Sequence, residues 1–275
     1  GDCICGNQTW TVDDDGKADF DNIQAAVDAS SNGDEIIVMP GTYPSTQDGH
    51  VVNMLGKAVT LRSSDPSDPD VVAATIIDGE NTRRGLACFN EETSNTIISG
   101  FTITNGYGVE FDYNGNGDID LWENDGGGML NYENSNPTLT NCTFTNNSAT
   151  IGGGILNSFS NPRLIDCTLI NNSAGNGGGI GNSNSSPTLI NCTFTNNTAF
   201  SWGAGMWNGE STPSLFDCEF IGNTTIGYGG GGMLNYASAP VLTGCTFTKN
   251  IATRSGGMGN WNSSPKLTHC LFINN

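Results

Sequence analysis

The sequence predicts an all-β fold, a parallel solenoid, from three features of its second half. A Gly-rich tripeptide followed by Met or Ile occurs six times, and a Cys accompanies it at a nearly constant spacing from Cys142 to Cys270. A Phe or Leu follows two residues after each Cys, which is the period of a β-strand. Gly triplets, Pro and dense Asn and Thr would break or weaken a helix in every unit. One unit has too little apolar surface to fold alone, so successive units are expected to stack.

The repeat predicts columns of like residues, stacked about 4.8 Å apart from one coil to the next. The residues that follow the Gly-rich tripeptide are Met129, Ile155, Ile180, Met206, Met233 and Met258. The Asn column is Asn131, Asn157, Asn182, Asn208, Asn235 and Asn260. The Leu column is Leu139, Leu164, Leu189, Leu215, Leu242 and Leu267. The Cys column is Cys142, Cys167, Cys192, Cys218, Cys245 and Cys270. The last column is Phe144, Leu169, Phe194, Phe220, Phe247 and Phe272.

The second half also carries a motif that resembles the repeat of a known family. The segments Phe144–Asn147, Phe194–Asn197 and Phe247–Asn250 read Phe-x-x-Asn, and each follows a Gly-Gly-apolar segment. This pairing resembles the repeats of the chlamydial polymorphic membrane proteins and, more broadly, the right-handed parallel β-helix superfamily. The resemblance covers residues 126–275 and implies a single-stranded right-handed parallel β-helix. For function it suggests only the adhesive surface role of the chlamydial family. A shared fold alone does not fix function.

The first half is predicted to form less regular coils of the same solenoid. Residues 86–106 contain a degenerate copy of the repeat. It precedes the first regular repeat by more than one coil length, so an insertion is expected between the two. In this alignment, Met129, Asn131, Leu139, Cys142 and Phe144 are preceded by Cys88, Asn90, Ile98, Phe101 and Ile103. Apolar runs at 36–39, 59–61 and 75–77 indicate earlier coils, so the solenoid is expected to start near Asp34.

A short amphipathic helix is predicted before the first coil. Phe20, Ile23, Ala26 and Val27 fall at helical spacing after the capping candidate Asp19, and the helix should cover the open coil end. We therefore expect an N-terminal segment with a capping helix (1–35), irregular early coils (36–110), an inserted calcium loop (111–125) and six regular repeats (126–275).

The beginning of the chain is also similar to the opening of pectinesterase-like β-helices. The similarity covers the segments 12–16, 23–27 and 40–43. The catalytic aspartates and arginine of that family have no matching motifs later in this sequence, so its activity is not carried over. No catalytic residue and no organic cofactor is assigned.

The sharpest local motif is an EF-hand-like calcium loop in the insertion. Residues 112–123 fit the template at its ligand positions, and Gly117 permits the sharp turn. Ca²⁺ takes six to eight oxygen ligands, and the candidate ligands are Asp112, Asn114, Asn116, Asp118 through its backbone carbonyl, Asp120 and Glu123. Gly126–Gly128 follow too soon for the usual second helix, so we expect an isolated structural loop, similar to those of dockerin-like type.

The repeat cysteines are predicted to be buried free thiols, because stacked side chains one coil apart seldom reach disulfide geometry. A metal ladder and disulfide bridges are the alternatives, and the pairing of Cys3, Cys5 and Cys88 is left open. The Asn column is expected to be structural. Outward Thr pairs, for example Thr143 and Thr145, are interpreted as a solvent face, with ice binding as the alternative.

Composition limits the classes of partner. The chain has 275 residues with 28 acidic and 9 basic side chains, a net charge of −19, so an unaided nucleic-acid binder is excluded. No apolar run is long enough to insert into a membrane. Residues 1–125 hold 23 of the 28 carboxylates, which leaves the repeat half nearly neutral.

The first functional hypothesis is a non-enzymatic, calcium-stabilised solenoid, extracellular or on the cell surface, that acts as an adhesin, stalk or matrix element and binds a glycan or cell-surface ligand. The alternative is a polysaccharide-binding or lyase-like polysaccharide-cleaving β-helix, suggested by the superfamily and by Arg83 and Arg84 among the acidic early coils. The sequence stops in mid-repeat at Asn275, so we expect either further coils or end-to-end stacking on another solenoid.

Overall fold

The structure is a computed structural model that describes residues 7–44, 49–108 and 124–275. It is a parallel β-helix of about nine coils, as the repeat predicts. Within the described residues the strands form four parallel sheets of ten, eight, nine and five strands. No helix in this part of the chain is long and apolar enough to cross a membrane.

The elements of the early coils follow in chain order. They are β1 (Thr9–Val12), α1 (Ile23–Ala29), β2 (Glu35–Val38), β3 (Gly41–Pro44), β4 (His50–Asn53), β5 (Thr60–Ser63), α2 (Pro69–Ala74), β6 (Thr75–Asp78), β7 (Arg84–Cys88), β8 (Ile97–Ser99) and β9 (Thr102–Thr104). Helix α2 lies against β6 and β9 and is absent from the sequence-based prediction. It begins after the capping residue Asp68 with Pro69 in its first turn, which is a favourable start for a helix.

The regular repeats each contain up to four short strands. The first three repeats contain β10 (Met129–Tyr132), β11 (Thr138–Thr140), β12 (Thr143–Thr145), β13 (Ser148–Ile151), β14 (Ile155–Ser158), β15 (Arg163–Ile165), β16 (Thr168–Ile170), β17 (Ser173–Asn176), β18 (Ile180–Ser183), β19 (Thr188–Ile190), β20 (Thr193–Thr195) and β21 (Thr198–Trp202). The next three contain β22 (Met206–Gly209), β23 (Ser214–Phe216), β24 (Glu219–Ile221), β25 (Thr224–Thr225), β26 (Met233–Tyr236), β27 (Val241–Thr243), β28 (Thr246–Thr248), β29 (Ile251–Ala252), β30 (Met258–Trp261), β31 (Lys266–Thr268) and β32 (Leu271–Ile273).

Four sheets run along the axis. Sheet A has the order β1-β2-β5-β8-β11-β15-β19-β23-β27-β31. Sheet B has the order β3-β6-β9-β12-β16-β20-β24-β28-β32. Sheet C has the order β4-β7-β10-β14-β18-β22-β26-β30, and sheet D the order β13-β17-β21-β25-β29. All pair in parallel, so each strand lies on the equivalent strand of the next coil.

The predicted columns are confirmed by the strand registers. Leu139 pairs with Leu164, Phe194 with Phe220, and Asn157 with Asn182. The Phe194, Phe220, Phe247 and Phe272 rings stack with centroids 4.5 to 4.7 Å apart and almost parallel. The Leu, Cys and Phe columns are fully buried except in the last coil, and all seven cysteines of the described residues are free. Burial of each large apolar side chain contributes about 1.5–3 kcal/mol, so these columns stabilise the stack of coils.

Three polar ladders run parallel to the apolar columns. In the predicted Asn column, each side-chain amide donates to the Oδ1 of the next Asn at 2.8 Å. A second Asn ladder links Asn147, Asn172, Asn197, Asn223, Asn250 and Asn275 at 2.8 to 3.0 Å. In the third, the Ser hydroxyl of one coil accepts the backbone N–H of the matching Ser one coil earlier, and Ser135 donates to the buried Glu92. The ladders satisfy polar groups inside the coil, where an unpaired group would be costly.

Two columns of left-handed residues turn the chain between sheets. The first is Asn141, Asp166, Asn191, Asp217, Gly244 and His269, whose φ angles are 51° to 70°. The second is Asn146, Asn171, Asn196, Gly222, Lys249 and Asn274, with φ of 52° to 63°. Asn, Asp and Gly tolerate this conformation best, which explains why they recur there. His269 therefore occupies a bend position on the surface.

The first coil begins earlier than the sequence-based prediction places it. Strand β1 pairs with β2 through Trp10 and Ile36, so the stack starts ahead of helix α1 and not near Asp34. The helix is capped by Asn22, whose Oδ1 accepts the N–H of Ala25. The carboxylate of Asp19, the predicted cap, instead accepts from the backbone and hydroxyl of Thr11. Thr9–Val12 alternates Thr with an apolar residue, which is compatible with a strand.

Helix α1 covers the open edge of sheet C, which is the role predicted for it. Strand β4 is the edge strand, and its Asn53 exchanges two hydrogen bonds with the Gln24 side chain of the helix. Ile23, Ala26 and Val27 are buried against the first coils. The side chain of Gln24 thus replaces the missing neighbouring strand.

On sheet C, the degenerate copy at 86–106 is shifted by two residues relative to the alignment predicted from the sequence. Ile98 and Ile103 lie opposite Leu139 and Phe144, as aligned, but Cys88 lies opposite Asn131 and not opposite Met129. The loop between β7 and β8 is two residues longer than its counterpart, so one constant offset cannot align the whole coil. Because Cys88 carries no amide, Asn131 Oδ1 has no hydrogen-bond partner among the described residues.

Candidate functional site

A concave surface lies beside sheets C and D in the last coils, and we call it the aromatic cleft. It has a volume of about 430 Å³ and is lined by Trp202, Tyr228, Gly229, Leu234, Arg254, Ser255, Gly259, Asn260 and Trp261. Its lining comes from segments of three successive coils, which the fold places side by side. The cleft is therefore a product of stacking and not of any single repeat.

The cleft exists because two large side chains each lie beside a glycine of the next coil. Trp202 at the end of β21 pairs with Gly229, and Leu234 in β26 pairs with Gly259 in β30. At both positions the glycine has no side chain to continue the column, so the surface is recessed there. The Cδ1 of Leu234 lies 2.7 Å from the position that a Cβ at Gly259 would take, so the Leu234 side chain forms an apolar floor there.

The aromatic rings that flank this step are held at right angles. The Trp202 and Trp261 rings have centroids 6.3 Å apart and planes at 81°, although the residues lie two coils apart. Tyr236 supports Trp261 from the same strand column, with centroids 5.7 Å apart at 81°. Trp261 is 54% exposed and Tyr228 is 74% exposed, so their faces are accessible to a ligand. Edge-to-face packing of this kind orients the rings before any ligand arrives.

The polar part of the cleft is small. Arg254, Ser255 and Asn260 are exposed at its edge, and Asn260 already accepts the amide of Asn235 through its Oδ1. The described residues of the lining include no carboxylate, imidazole or thiol. The cleft can therefore stack, hydrogen-bond and pair with an anion, but its lining offers no strong general base or nucleophile.

The predicted calcium ligands, Asp112, Asn114, Asn116, Asp118, Asp120 and Glu123, lie outside the described residues. The flanking residues are described and adjoin each other, since a Cβ at Gly108 would collide with the backbone oxygen of Asn124. Gly108 donates to Ser148 O at 2.9 Å, and Thr150 donates to Asn124 O at 2.8 Å. The flanking residues Gly108 and Asn124 are thus both hydrogen-bonded to β13. Elsewhere in the described chain, no group of three or more His, Cys, Asp or Glu side chains is placed to hold a metal ion.

A second group of ionisable residues lies inside the early coils. The guanidinium of Arg84 is fully buried and donates to the backbone oxygens of Asp125 and Gly126 at 2.7 and 2.9 Å. Burial raises the pKa of Asp125 to about 7, against the effect of a hydrogen bond from Ile151 N–H. Burial, and then the charge of Arg84, lowers the pKa of His50 to about 4. Because all three side chains are buried, this group joins neighbouring coils and does not face a substrate.

The two early arginines that suggested a lyase-like groove do not form one. Arg84 is buried as described above, while Arg83 lies 3.6 Å from the carboxylate of Glu80. The outward Thr columns of sheet B are half-exposed and interrupted, for example where Glu219 lies in register with Thr193. This placement favours the interpretation as an ordinary solvent face over a continuous ice-binding plane.

Sequence reasoning did not identify the aromatic cleft. Trp202, Tyr228 and Trp261 occupy different positions in their repeats, so a search for recurring columns passes over them. A usable signal was present, because the repeat half carries Trp only in its later coils, at Trp202, Trp207 and Trp261. Departures from a repeat, and not the repeat itself, mark this surface.

The columns, the ladders and the parallel sheets define a solenoid protein. The family model described as "Right handed beta helix region" matches residues 50–224 and 163–275, and the chain belongs to this family. No curated protein sequence shows significant similarity to this chain.

Solved structures with the same fold include three pectin methylesterases. The enzyme from carrot is 11% identical with a TM-score of 0.58, covering 98% of this chain and 85% of that enzyme. The enzyme from Aspergillus niger is 12% identical with a TM-score of 0.53, covering 94% and 85%. A pectin methylesterase in complex with a hexasaccharide is 10% identical with a TM-score of 0.52, covering 92% and 80%. At these identities the likeness establishes the fold alone.

Proposed function

We propose that this protein is a polysaccharide-binding β-helix that holds saccharide units in the aromatic cleft without cleaving them. The observation that carries the proposal is the perpendicular Trp202 and Trp261 pair, with the exposed Tyr228 beside it. Sugar rings present C–H groups on their faces and hydroxyls at their edges. An aromatic face packs against the former, while Asn260, Ser255 and Arg254 offer partners for the latter.

The size and setting of the cleft support this proposal. Its volume of about 430 Å³ falls within the usual range of small-molecule sites, about 300–1,000 Å³. The fold is shared with pectin methylesterases, one of them in complex with a hexasaccharide. The proposal develops the polysaccharide alternative more than the adhesin hypothesis. It keeps the non-enzymatic character of the latter, because the described lining carries no acid–base pair.

The proposal also implies where the protein works. A binder of polymeric sugar would meet its ligand outside the cell or on the cell surface, so we propose an extracellular or cell-surface location. A matrix or adhesive role would then arise from glycan binding by a stiff solenoid.

The direct test is binding to an array of neutral and anionic polysaccharides, followed by titration calorimetry with the best oligosaccharide. Trp261→Ala should weaken binding by at least about tenfold, because truncating a central aromatic residue removes most of the contact area. Phe216→Ala is the matched control, since Phe216 is an exposed aromatic residue on sheet A. Binding by wild type that Trp261→Ala leaves intact would refute this site.

The non-catalytic part is tested separately. Incubation of wild type with the bound polysaccharide should give no shortened chains, no unsaturated ends and no released methanol. Robust product formation that survives purification to homogeneity would show that the protein is an enzyme.

A further inference from the structure

Arg254 is the basic residue of the aromatic cleft, and its setting suggests what kind of sugar the cleft selects. Its side chain is exposed beside Tyr228 and Trp261. No carboxylate among the described residues lies within ion-pair distance of its guanidinium, whereas Arg62 and Arg83 pair with Glu35 and Glu80. The cleft therefore contains a charge that the rest of the described chain does not neutralise.

The acidic character of the molecule does not cancel this charge. The net charge is −19, but the repeat half contains only five carboxylates, Glu133, Asp166, Glu210, Asp217 and Glu219. None of these lines the cleft. The acidic early coils are distant, because four coils separate β7 from β22, roughly 19 Å along the axis. That distance exceeds the screening length of about 8 Å at physiological ionic strength. Arg254 is thus the charged side chain of the cleft lining.

The aromatic faces and the guanidinium lie together, which restricts the ligand further. A planar guanidinium offers paired N–H donors that match the two oxygens of a carboxylate or sulfate. A neutral sugar would use only single hydrogen bonds there and would leave the charge unpaired. A ligand that stacks on Trp261 or Tyr228 and carries an anionic substituent satisfies both parts of the cleft.

We infer that the cleft selects a saccharide unit carrying one anionic group, with Arg254 pairing that group while the aromatic rings pack against the sugar. This inference rests on the proposed function and adds the charge of the ligand to it. A uronic-acid carboxylate and a sulfate ester share the required chemistry, and the experiment distinguishes them.

The experiment compares matched pairs of oligosaccharides by titration calorimetry with the complete protein. One pair is an oligouronate and its carboxyl-reduced counterpart, and the other is a sulfated galactan oligosaccharide and its desulfated form. We expect the anionic member of one pair to bind about tenfold more tightly than its neutral partner. The pair that shows the preference identifies the anion. Added NaCl should reduce the preference, because it screens an exposed charge pair.

Variants assign the preference to the residue. Arg254→Gln should bind both members of the pair with equal, weak affinity, and Arg254→Lys should keep part of the preference, because it keeps the charge but loses the paired donors. Arg163→Gln is the matched control, since Arg163 is an exposed arginine on sheet A, and it should behave as wild type. Circular dichroism checks that every variant keeps its β-sheet content.

The outcomes separate this inference from the proposed function. Equal binding of charged and neutral members by wild type, with loss in Trp261→Ala, would overturn the charge preference and support glycan binding. An unchanged preference in Arg254→Gln would assign the selectivity elsewhere and overturn the role of Arg254. Absence of binding to every polysaccharide, neutral or anionic, would overturn both proposals.

Discussion

The side-chain amide of Asn157 donates to Asn182 Oδ1 at 2.8 Å, and the amide of Asn182 donates in turn to Asn208 Oδ1 at the same distance. All three side chains are fully buried. Each Asn therefore satisfies one neighbour as a donor and the other as an acceptor. A ladder of this kind makes every coil dependent on the alignment of the next.

Replacing the central member should be costly. Asn182→Ala leaves the amide of Asn157 without an acceptor and Asn208 Oδ1 without a donor, so we expect a loss of about 2–4 kcal/mol in the free energy of unfolding. Urea denaturation measures it. Asn95→Ala, in an exposed turn, is the control and should change stability by less than about 0.5 kcal/mol. An equally small change in Asn182→Ala would show that the ladder contributes little.

The bend columns predict opposite effects of two substitutions on stability. Asn171 has φ of 56° and an exposed side chain. Asn171→Gly should be neutral or stabilising by about 0.5 kcal/mol, while Asn171→Val should destabilise by about 1–2 kcal/mol, because a β-branched residue is strained at positive φ. Thermal unfolding of the two variants gives the order. The reverse order would contradict the left-handed conformation of this bend.

His50 predicts a pH dependence. Its pKa is lowered to about 4 by burial and by the charge of Arg84, so between about pH 6.5 and 4 the unfolded chain binds a proton that the folded protein resists. The free energy of unfolding therefore does not depend on His50 titration above about pH 6.5. It falls as the pH drops from there to about 4, by up to about 3 kcal/mol.

The measurement is the change in urea midpoint between about pH 7 and about pH 4.5. It should be smaller in His50→Gln than in wild type. His269→Gln, at an exposed bend, should follow wild type. Identical pH profiles for His50→Gln and wild type would contradict the buried, neutral state of His50.

The calcium hypothesis for residues 112–123 is tested with the ion itself. Adding Ca²⁺ to chelator-treated protein should raise the melting temperature, because an ion that binds only the folded state stabilises it. Asp112→Ala should abolish the rise, and Glu219→Gln, which alters an exposed carboxylate on sheet B, should retain it. A Ca²⁺-dependent rise that persists in Asp112→Ala would place the ion elsewhere.

The regular part of the fold was predictable because its signals repeat. The Cys and Phe positions, for example Cys192 and Phe194, recur at a nearly constant spacing from coil to coil. The parallel register converts that spacing directly into contacts, as between Phe194 and Phe220. The Ser ladder carries the same kind of signal, because from Ser160 onward its members lie three residues after their Asn, and only Ser135 lies four residues after Asn131. The displacement at Cys88 has a similar origin, since a longer loop changes the offset on one sheet only.

The early coils and the cleft were harder to predict for a different reason. Thr9–Val12 forms a strand because β2 is available to pair with it, and such a partner is not visible in a four-residue segment. The cleft depends on which residue lies over which: Gly229 over Trp202, and Gly259 over Leu234. Both pairs follow from the length of each coil, so they can be predicted from the sequence once the strand register is known.

The pairing of a bulky side chain with a glycine one coil later has a broader consequence. Because the scaffold is held by internal columns, an outward side chain can be truncated while those columns keep their contacts. Filling a glycine position needs local adjustment, since a Cβ at Gly259 would lie 2.7 Å from Leu234 Cδ1. A recess of chosen depth could be introduced at other heights of the same wall by exchanging one or two outward residues. The outer wall is thus open to redesign for new ligands while the interior stays unchanged.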